Sequence, residues 1–150
     1  MTIILYGGEM KKLSIEQVME KYLDNADLKI RITNNMQFIA LDFFVFGKIE
    51  GEFWRVAFEC KKVINLQVTK EVYNDESQDA CFLVLNTEVK NVNINSLNLD
   101  VHNFCSGVDS VWEISIFGSI NINIICVDFK WDIVNLNYEE YSRLLRHTQN

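Results

Sequence analysis

The chain has 150 residues, no proline, six glycines and a formal net charge of −7. This length suits a single domain spanning residues 1–150, and the hydrophobic fraction of 49% excludes global disorder. Met1–Tyr6 lacks the basic start and cleavage site of a secretory signal, and no uncharged apolar run approaches the ~20 residues of a membrane helix. We therefore expect a cytoplasmic protein that does not bind membranes.

The first element predicted along the chain is a helix that begins after Ser14. Ser14 and Gln17 have the spacing of a capping box, and Asn25 is a residue type that ends helices. Apolar residues recur between them at helical spacing. These residues are Ile15, Val18, Met19, Tyr22 and Leu23.

Most of the following sequence alternates apolar and polar residues, as strands do. Without a long helical segment to provide parallel crossovers, the spacing predicts successive antiparallel hairpins. The turn signals are Asn34–Asn35, Gly47–Gly51, Asn74–Asp79 and Gly118–Ser119. The predicted strands are Leu28–Thr33, Gln37–Ile49, Glu52–Lys61, Ile64–Tyr73, Ala80–Val89, Asn91–Val101, Val111–Phe117 and Ile120–Asp132.

Two features of these strands can be predicted in more detail. The apolar positions change phase around Asn95–Ser96, which predicts a β-bulge or a bend there. In the last hairpin, an odd, three-residue loop at Gly118 places all apolar residues on one face, whereas a two-residue loop would mix the faces. The predicted inward set is Trp112, Ile114, Ile116, Ile120, Ile122, Ile124 and Cys126, with Glu113, Ser115, Asn121 and Asn123 on the other face.

The chain ends in a predicted short helix. Asn137 can cap it with Glu140 at the third position, and Tyr138, Tyr141, Leu144 and Leu145 form its apolar side. Just before it, Ile125, Val127, Phe129 and Trp131 make both faces of the last strand apolar, so we expect a helix to cover the second face. The sequence predicts an α+β fold: a mainly antiparallel, strongly bent sheet or open barrel, with one helix near the N-terminus and a short C-terminal helix.

The sequence contains few residue patterns that are typical of a catalytic, redox or metal-binding site. The four cysteines have no metal-binding or redox spacing, and we expect reduced thiols, with Cys60, Cys81 and Cys126 buried. His102 and Cys105 lack the second pair that a zinc site needs. Asp128 with Asp132, and Glu139 with Glu140, are better explained as exposed acids and a helix start than as a glycosidase pair. We expect no catalytic residues, no metal and no cofactor, and therefore no enzyme.

Charge is unevenly distributed along the chain. Residues 71–142 contain twelve acidic residues against Lys90 and Lys130, whereas residues 1–70 carry a net +1. Such a field repels nucleic acid and attracts cationic partners, although it can also serve only to prevent edge-to-edge association, or hold a cation. The candidate partner-binding residues are Asp75, Glu76, Asp79, Asp109, Glu113, Asp128 and Asp132.

The segment Val111–Ser119, continuing through Ile120 to Asp128-Phe129-Lys130-Trp131 and then to Tyr138-Glu139-Glu140-Tyr141, resembles the C-terminal region of small acidic immunity-type proteins of bacterial polymorphic-toxin and contact-dependent growth inhibition systems. The resemblance covers about forty residues at the C-terminus, from Val111 onward. It implies a cytoplasmic protein that binds a basic cognate toxin, such as a nuclease domain, and blocks its active site or access to it. It transfers no individual residue role.

The alternative function is a β-barrel that binds a small molecule. Its cavity would be lined by the aromatic residues Phe43, Phe53, Trp54 and Phe58. A roomy apolar interior would favour this alternative, and a filled core would favour the protein-binding module.

Overall fold

The computed structural model describes residues 2–6, 9–33, 35–46, 52–70, 82–97 and 107–146, and it confirms the predicted α+β class. The chain begins with strands β1 (Thr2–Tyr6) and β2 (Glu9–Leu13), helix α1 (Ile15–Val18) and a π-helical turn (Met19–Leu23). Strands β3 (Asp27–Thr33), β4 (Phe38–Phe46), β5 (Phe53–Lys70) and β6 (Phe82–Asn93) follow. A 3-10 turn (Ile94–Ser96), β7 (Ser110–Gly118), β8 (Ile120–Leu136) and α2 (Tyr138–Arg146) complete the described elements.

Strands β3 to β8 form an antiparallel ring in the order β3-β4-β5-β8-β7-β6. Two three-stranded meanders, β3-β4-β5 and β6-β7-β8, meet along a long seam between β5 and β8. Among the described residues the ring closes through two pairs, Asp27 with Leu83 and Leu28 with Phe82. The β1–β2 hairpin, which the sequence analysis did not predict, is a separate two-stranded sheet that lies against β8.

The helical segment before β3 packs into the ring near the place where β3 pairs with β6. Its predicted capping box is confirmed, because the Gln17 amide donates to Ser14 Oγ (3.2 Å) and the Ser14 amide donates to Gln17 Oε1 (2.9 Å). It ends at Leu23, and Asn25, two residues further on, has a φ of 64° in the left-handed region and an amide that donates to the Val84 carbonyl at 2.9 Å. Val18, Tyr22 and Leu23 share the core of the ring.

The interior of the ring is apolar and aromatic. Phe58 contacts Phe43 edge-to-face at 4.8 Å between ring centroids, and Phe129 at 5.1 Å. Trp112 also packs on Phe129, at 5.4 Å. Each aromatic pair contributes about 0.5–1.5 kcal/mol beyond the burial of its surface, so the rings fix the barrel's shape as well as filling it.

The predicted division between Glu52–Lys61 and Ile64–Tyr73 is wrong, since β5 runs unbroken from Phe53 to Lys70. Lys62 has a φ of 54°, and the register with β8 shifts between Val63 and Asn65, which leaves Ile64 as an extra residue. The alternation of inward and outward side chains therefore shifts at a bulge within one strand, and the chain does not turn there. Residues 71–73 lie outside the described residues.

The predicted interruption around Asn95–Ser96 takes the form of a bend, not a bulge. Pairing between β6 and β7 ends at Asn93 with Ser110, and the 3-10 turn follows. Asn93 Oδ1 accepts from the Asn95 amide at 2.8 Å, which turns the chain away from the ladder. The remainder of the predicted strand, from residue 98, lies outside the described residues.

The register predicted for the last hairpin is confirmed. Ile114 pairs with Ile124 and Ile116 with Ile122, so the loop around Gly118 is odd. All the predicted inward residues of this hairpin belong to the core or pack against it. Cys126 is fully buried with them.

The end of β8 differs from the prediction of two apolar faces. Phe129, Trp131 and Ile133 lie opposite Cys60, Phe58 and Val56 and join the interior, whereas Asp128, Lys130 and Asp132 are exposed. The strand changes phase after Cys126, so the interior itself covers these apolar residues. Helix α2 packs instead on an outer cluster of Phe44, Phe53 and Leu136.

Candidate functional site

The acidic residues predicted to contact a partner do not form one cluster in the described part of the chain. Asp109 is exposed just before β7, and its carbonyl accepts from the Ile94 amide at 3.0 Å. Glu113 is on β7 opposite Ile125, and Asp128 and Asp132 are exposed further along β8. The remaining three, Asp75, Glu76 and Asp79, lie outside the described residues.

Along the seam, charged residues of β5 lie opposite residues of β8 that carry the other sign. Lys61 lies opposite Asp128, and Glu59 lies opposite Lys130. Lys62 Nζ is also 3.7 Å from Asp128 Oδ2, at an exposed site. Such pairs contribute about 0–1 kcal/mol each. Because the opposite charges cancel each other's field, the acidic residues of 71–142 do not form a continuous acidic surface along this seam.

An aromatic cluster lies outside the ring, where the N-terminal turn of α2 meets the end of β4 and the start of β5. Phe53 is buried at its centre, with Tyr141 at 4.5 Å, Phe46 at 4.9 Å and Tyr138 at 5.5 Å between ring centroids. Phe44 completes the cluster, 6.1 Å from Tyr141. Phe46 and Tyr138 are 63% and 66% exposed, so the cluster presents two rings to solvent on a buried base.

The sequence places these rings outside by strand alternation. Inward residues of β4 include Phe43 and Val45, which sends Phe44 and Phe46 to the outer face. Phe53 precedes the inward Trp54 and faces outward too, so its predicted place in the lining of an interior cavity is wrong. The sequence analysis missed this surface, although apolar residues on both faces of Phe38–Phe46 indicate an outer cover.

Helix α2 is held in place by its cap. The Glu140 amide donates to Asn137 Oδ1 at 2.8 Å, which confirms the predicted N-cap, and Asn137 Nδ2 donates to Glu140 Oε1 at 2.6 Å. Tyr138 and Tyr141, three residues apart, then lie on one side of the helix. The cap therefore sets the positions of both rings over Phe53.

Two polar anchors fix the surface beneath α2. The Lys29 ammonium, on β3, donates to the Leu144 carbonyl and lies 5.3 Å from the centre of the Phe44 ring. On β4, Asp42 Oδ1 accepts from Arg55 Nε at 3.1 Å and from Nη2 at 3.0 Å. Lys29 and Asp42 are only 6% and 8% exposed, so both interactions are largely withdrawn from solvent, and the hydrogen bond of Lys29 holds α2 against the ring.

Carboxylates and one further apolar side chain surround the aromatic cluster. Glu139 and Glu140 occupy the first turn of α2, where acids also complement the helix dipole. Val134, 43% exposed, lies opposite Arg55 on the adjoining part of the β5–β8 seam. Exposed aromatic rings beside carboxylates can bind a protein surface that offers apolar pockets and cationic side chains.

Inside the ring, the other three residues proposed to line a cavity contact neighbouring rings. Phe43 and Phe58 pack on each other, and Trp54 packs on Tyr22 at 5.5 Å. Burial, together with the negative charge of Glu52, raises the pKa of Tyr22, which keeps its hydroxyl protonated at neutral pH. This packing favours a filled core.

The described cysteines, Cys60 and Cys126, are free and buried. Their thiols form a hydrogen bond that, with burial, raises the pKa of Cys60 well above its ordinary value. His102, Cys81 and Cys105 lie outside the described residues. The described ranges contain no group of three His, Cys, Asp or Glu side chains placed to hold a metal ion, and no helix in them is long and apolar enough to cross a membrane.

Comparison with known proteins adds no relative from which a role could be transferred. The chain matches no protein-family model, no curated protein and no solved structure.

Proposed function

We propose that this protein is a cytoplasmic binding module that captures a basic protein partner and blocks it, as an immunity protein does with a toxin such as a nuclease. The observation that carries this proposal is the solvent exposure of Phe46 and Tyr138 on the buried base of Phe53. The resemblance of Val111–Tyr141 to immunity-type proteins points in the same direction.

Exposed aromatic rings on a rigid base suit a binding hot spot. Tyr and Trp are enriched among the residues that dominate interface energies, and such residues need pockets from which water is excluded. Phe46 and Tyr138 have few rotatable bonds and rest on neighbouring rings, so binding would immobilise little additional side-chain freedom.

Charge favours a basic partner. The protein carries −7 overall, and Glu139 and Glu140 stand in the same helical turn as Tyr138. Complementary charge raises the association rate and rejects acidic partners, while the aromatic anchors slow dissociation. Nucleic acid would be repelled by the same field.

The test uses the product of the neighbouring gene as partner, because immunity proteins are encoded beside their toxins. Phe46→Ala and Tyr138→Ala should each raise the dissociation constant by roughly 30-fold, the equivalent of about 2 kcal/mol for a hot-spot residue. Co-expression of either variant should also protect cells from that partner less well than the unchanged protein.

Ile32→Ala and Met36→Ala are the matched controls. Both side chains are exposed, at 45% and 52%, and they lie at the β3–β4 turn instead of the aromatic cluster. They should leave the affinity unchanged. Equal affinity of all four variants would contradict the proposed surface, and a neighbouring gene product that does not bind at all would contradict the proposed function.

A further inference from the structure

A second surface, distinct from the aromatic cluster, is a polar groove of about 370 Å³ on the outer face of β5, β8 and β7. Amides, hydroxyls and one carboxylate line it beside the apolar side chain of Ile122, and these polar groups come from Gln67, Thr69, Asn121, Asn123, Ser115 and Glu113. The ring of Phe117, 45% exposed, stands at its edge. Its size is within the ~300–1,000 Å³ of small-molecule sites.

The groove follows a row of polar side chains that crosses three strands. Gln67 of β5 pairs with Asn123 of β8, and Asn123 pairs with Ser115 of β7. We refer to these three residues as the polar row. Its three positions lie about 4.8 Å apart, which is the spacing of neighbouring strands. One interval is close to the length of a sugar ring in an extended chain.

Hydrogen-bonding capacity remains along the polar row. Asn123 Nδ2 donates to Ser115 Oγ at 2.9 Å, which orients both groups and leaves Asn123 Oδ1 and the Ser115 hydroxyl proton available. Within the described ranges, Gln67 and Thr69 have no hydrogen-bond partner for their side chains. The groove thus presents donors and acceptors close together, as vicinal hydroxyl groups require.

The charges and the aromatic ring narrow the ligand class. Glu113 lies opposite Lys90, so its charge is balanced and the groove favours a neutral ligand. Amide and hydroxyl groups beside the apolar Ile122 and Phe117 suit a ligand that has both hydroxyl groups and apolar faces. Phe117 offers a flat apolar face to the C–H side of a sugar ring, next to groups that bind its hydroxyls. We propose that this groove binds a neutral oligosaccharide about three rings long, laid across the strands along the polar row.

The test is an amide chemical-shift titration with cellotriose, chitotriose and maltotriose as separate probes. At least one should give saturable shifts confined to the groove, with a dissociation constant on the order of 1 mM. Phe117→Ala and Gln67→Ala should each weaken that binding by about tenfold, a typical loss for one aromatic or hydrogen-bonding contact. Both side chains are exposed, so the variants should fold.

Phe46→Ala is the control, because this exposed aromatic residue belongs to the other surface and should not affect the titration. Conversely, Phe117→Ala should still bind the protein partner, so the two proposals fail independently. No saturable shift with any of the three sugars would overturn the inference. So would sugar binding that persists unchanged in Phe117→Ala and Gln67→Ala.

Discussion

Asp42 is an outward-facing carboxylate of β4 that is nevertheless only 8% exposed. Arg55 donates two hydrogen bonds to Asp42 Oδ1, and Arg31 Nε lies 3.9 Å from Asp42 Oδ2. A side chain this deeply covered needs its charge compensated, because removing the partner leaves a desolvated anion.

Arg55→Ala should therefore lower the free energy of unfolding by about 2 kcal/mol, in the range for hydrogen bonds to charged groups. Urea denaturation followed by far-UV circular dichroism would measure it. Lys90→Ala removes the exposed pair with Glu88 and should change stability by less than about 0.5 kcal/mol. If both substitutions lower the free energy of unfolding equally, Arg55 is not needed to compensate the charge of Asp42.

Cys60 and Cys126 should react slowly with a thiol reagent in the folded protein. Both are fully buried, and the raised pKa of Cys60 keeps the nucleophilic thiolate scarce at neutral and mildly alkaline pH. Mass spectrometry after brief labelling should find these two residues unmodified until denaturant is added. Rapid modification of either thiol under native conditions would contradict the described burial.

At the scale of elements, the β7–β8 hairpin approaches β6 too closely for a side chain at Gly118. A Cβ there would lie 2.0 Å from the Leu83 carbonyl oxygen. Leu83 also holds the loop through hydrogen bonds of its amide and carbonyl with Ser119. Because the obstacle is backbone, a substitution must separate the strands.

Gly118→Ala should cost about 3 kcal/mol of stability, near the upper end for single substitutions. Gly107→Ala is the matched control. Gly107 has a φ of 85° but open space around its Cβ, so only the backbone penalty of about 1–2 kcal/mol applies. Thermal unfolding of the two variants compares the effect of a steric clash with that of backbone strain. An equal loss of stability in both would contradict the close approach of Gly118 to the Leu83 carbonyl.

Local sequence signals predicted the elements well where the deciding contacts are local. The caps at Ser14 and Asn137 depend on residues three positions away, and the odd hairpin loop depends on alternation within one hairpin. The bulge at Lys62 was missed because lysine does not favour the left-handed region that it adopts. The sequence also left Phe46 and Tyr138 unassigned, since their cluster joins segments some ninety residues apart.

For the whole molecule, charge along the sequence and charge on the surface are different quantities. The bases that offset the acids of β8 come from β5, and the β5–β8 pairing joins segments that no short-range pattern connects. The net −7 remains as a long-range field. Association with a basic partner should therefore slow steeply as salt is raised, because the screening length is about 8 Å near physiological ionic strength.

Stopped-flow binding to the neighbouring gene product, at two salt concentrations, measures this effect. Replacing Asp75, Glu76 and Asp79 together by lysine should lower the association rate. The same change at Glu16, Glu20 and Asp24, which are exposed beside the first helix, should have less effect. Equal rates for both triple variants and little dependence on salt would reduce the acidic charge to a role in solubility.

The closure between β3 and β6, which comprises two pairs within the described residues, has a consequence for folding kinetics and hydrogen exchange. Each meander can form from neighbouring segments, whereas the closure must bring together Asp27 and Leu83, which are 56 residues apart in the chain. We expect the ring to close late in folding and to open first from the native state. Amide protons at this junction should then exchange through local opening, well before those of the β5–β8 seam, which wait for global unfolding.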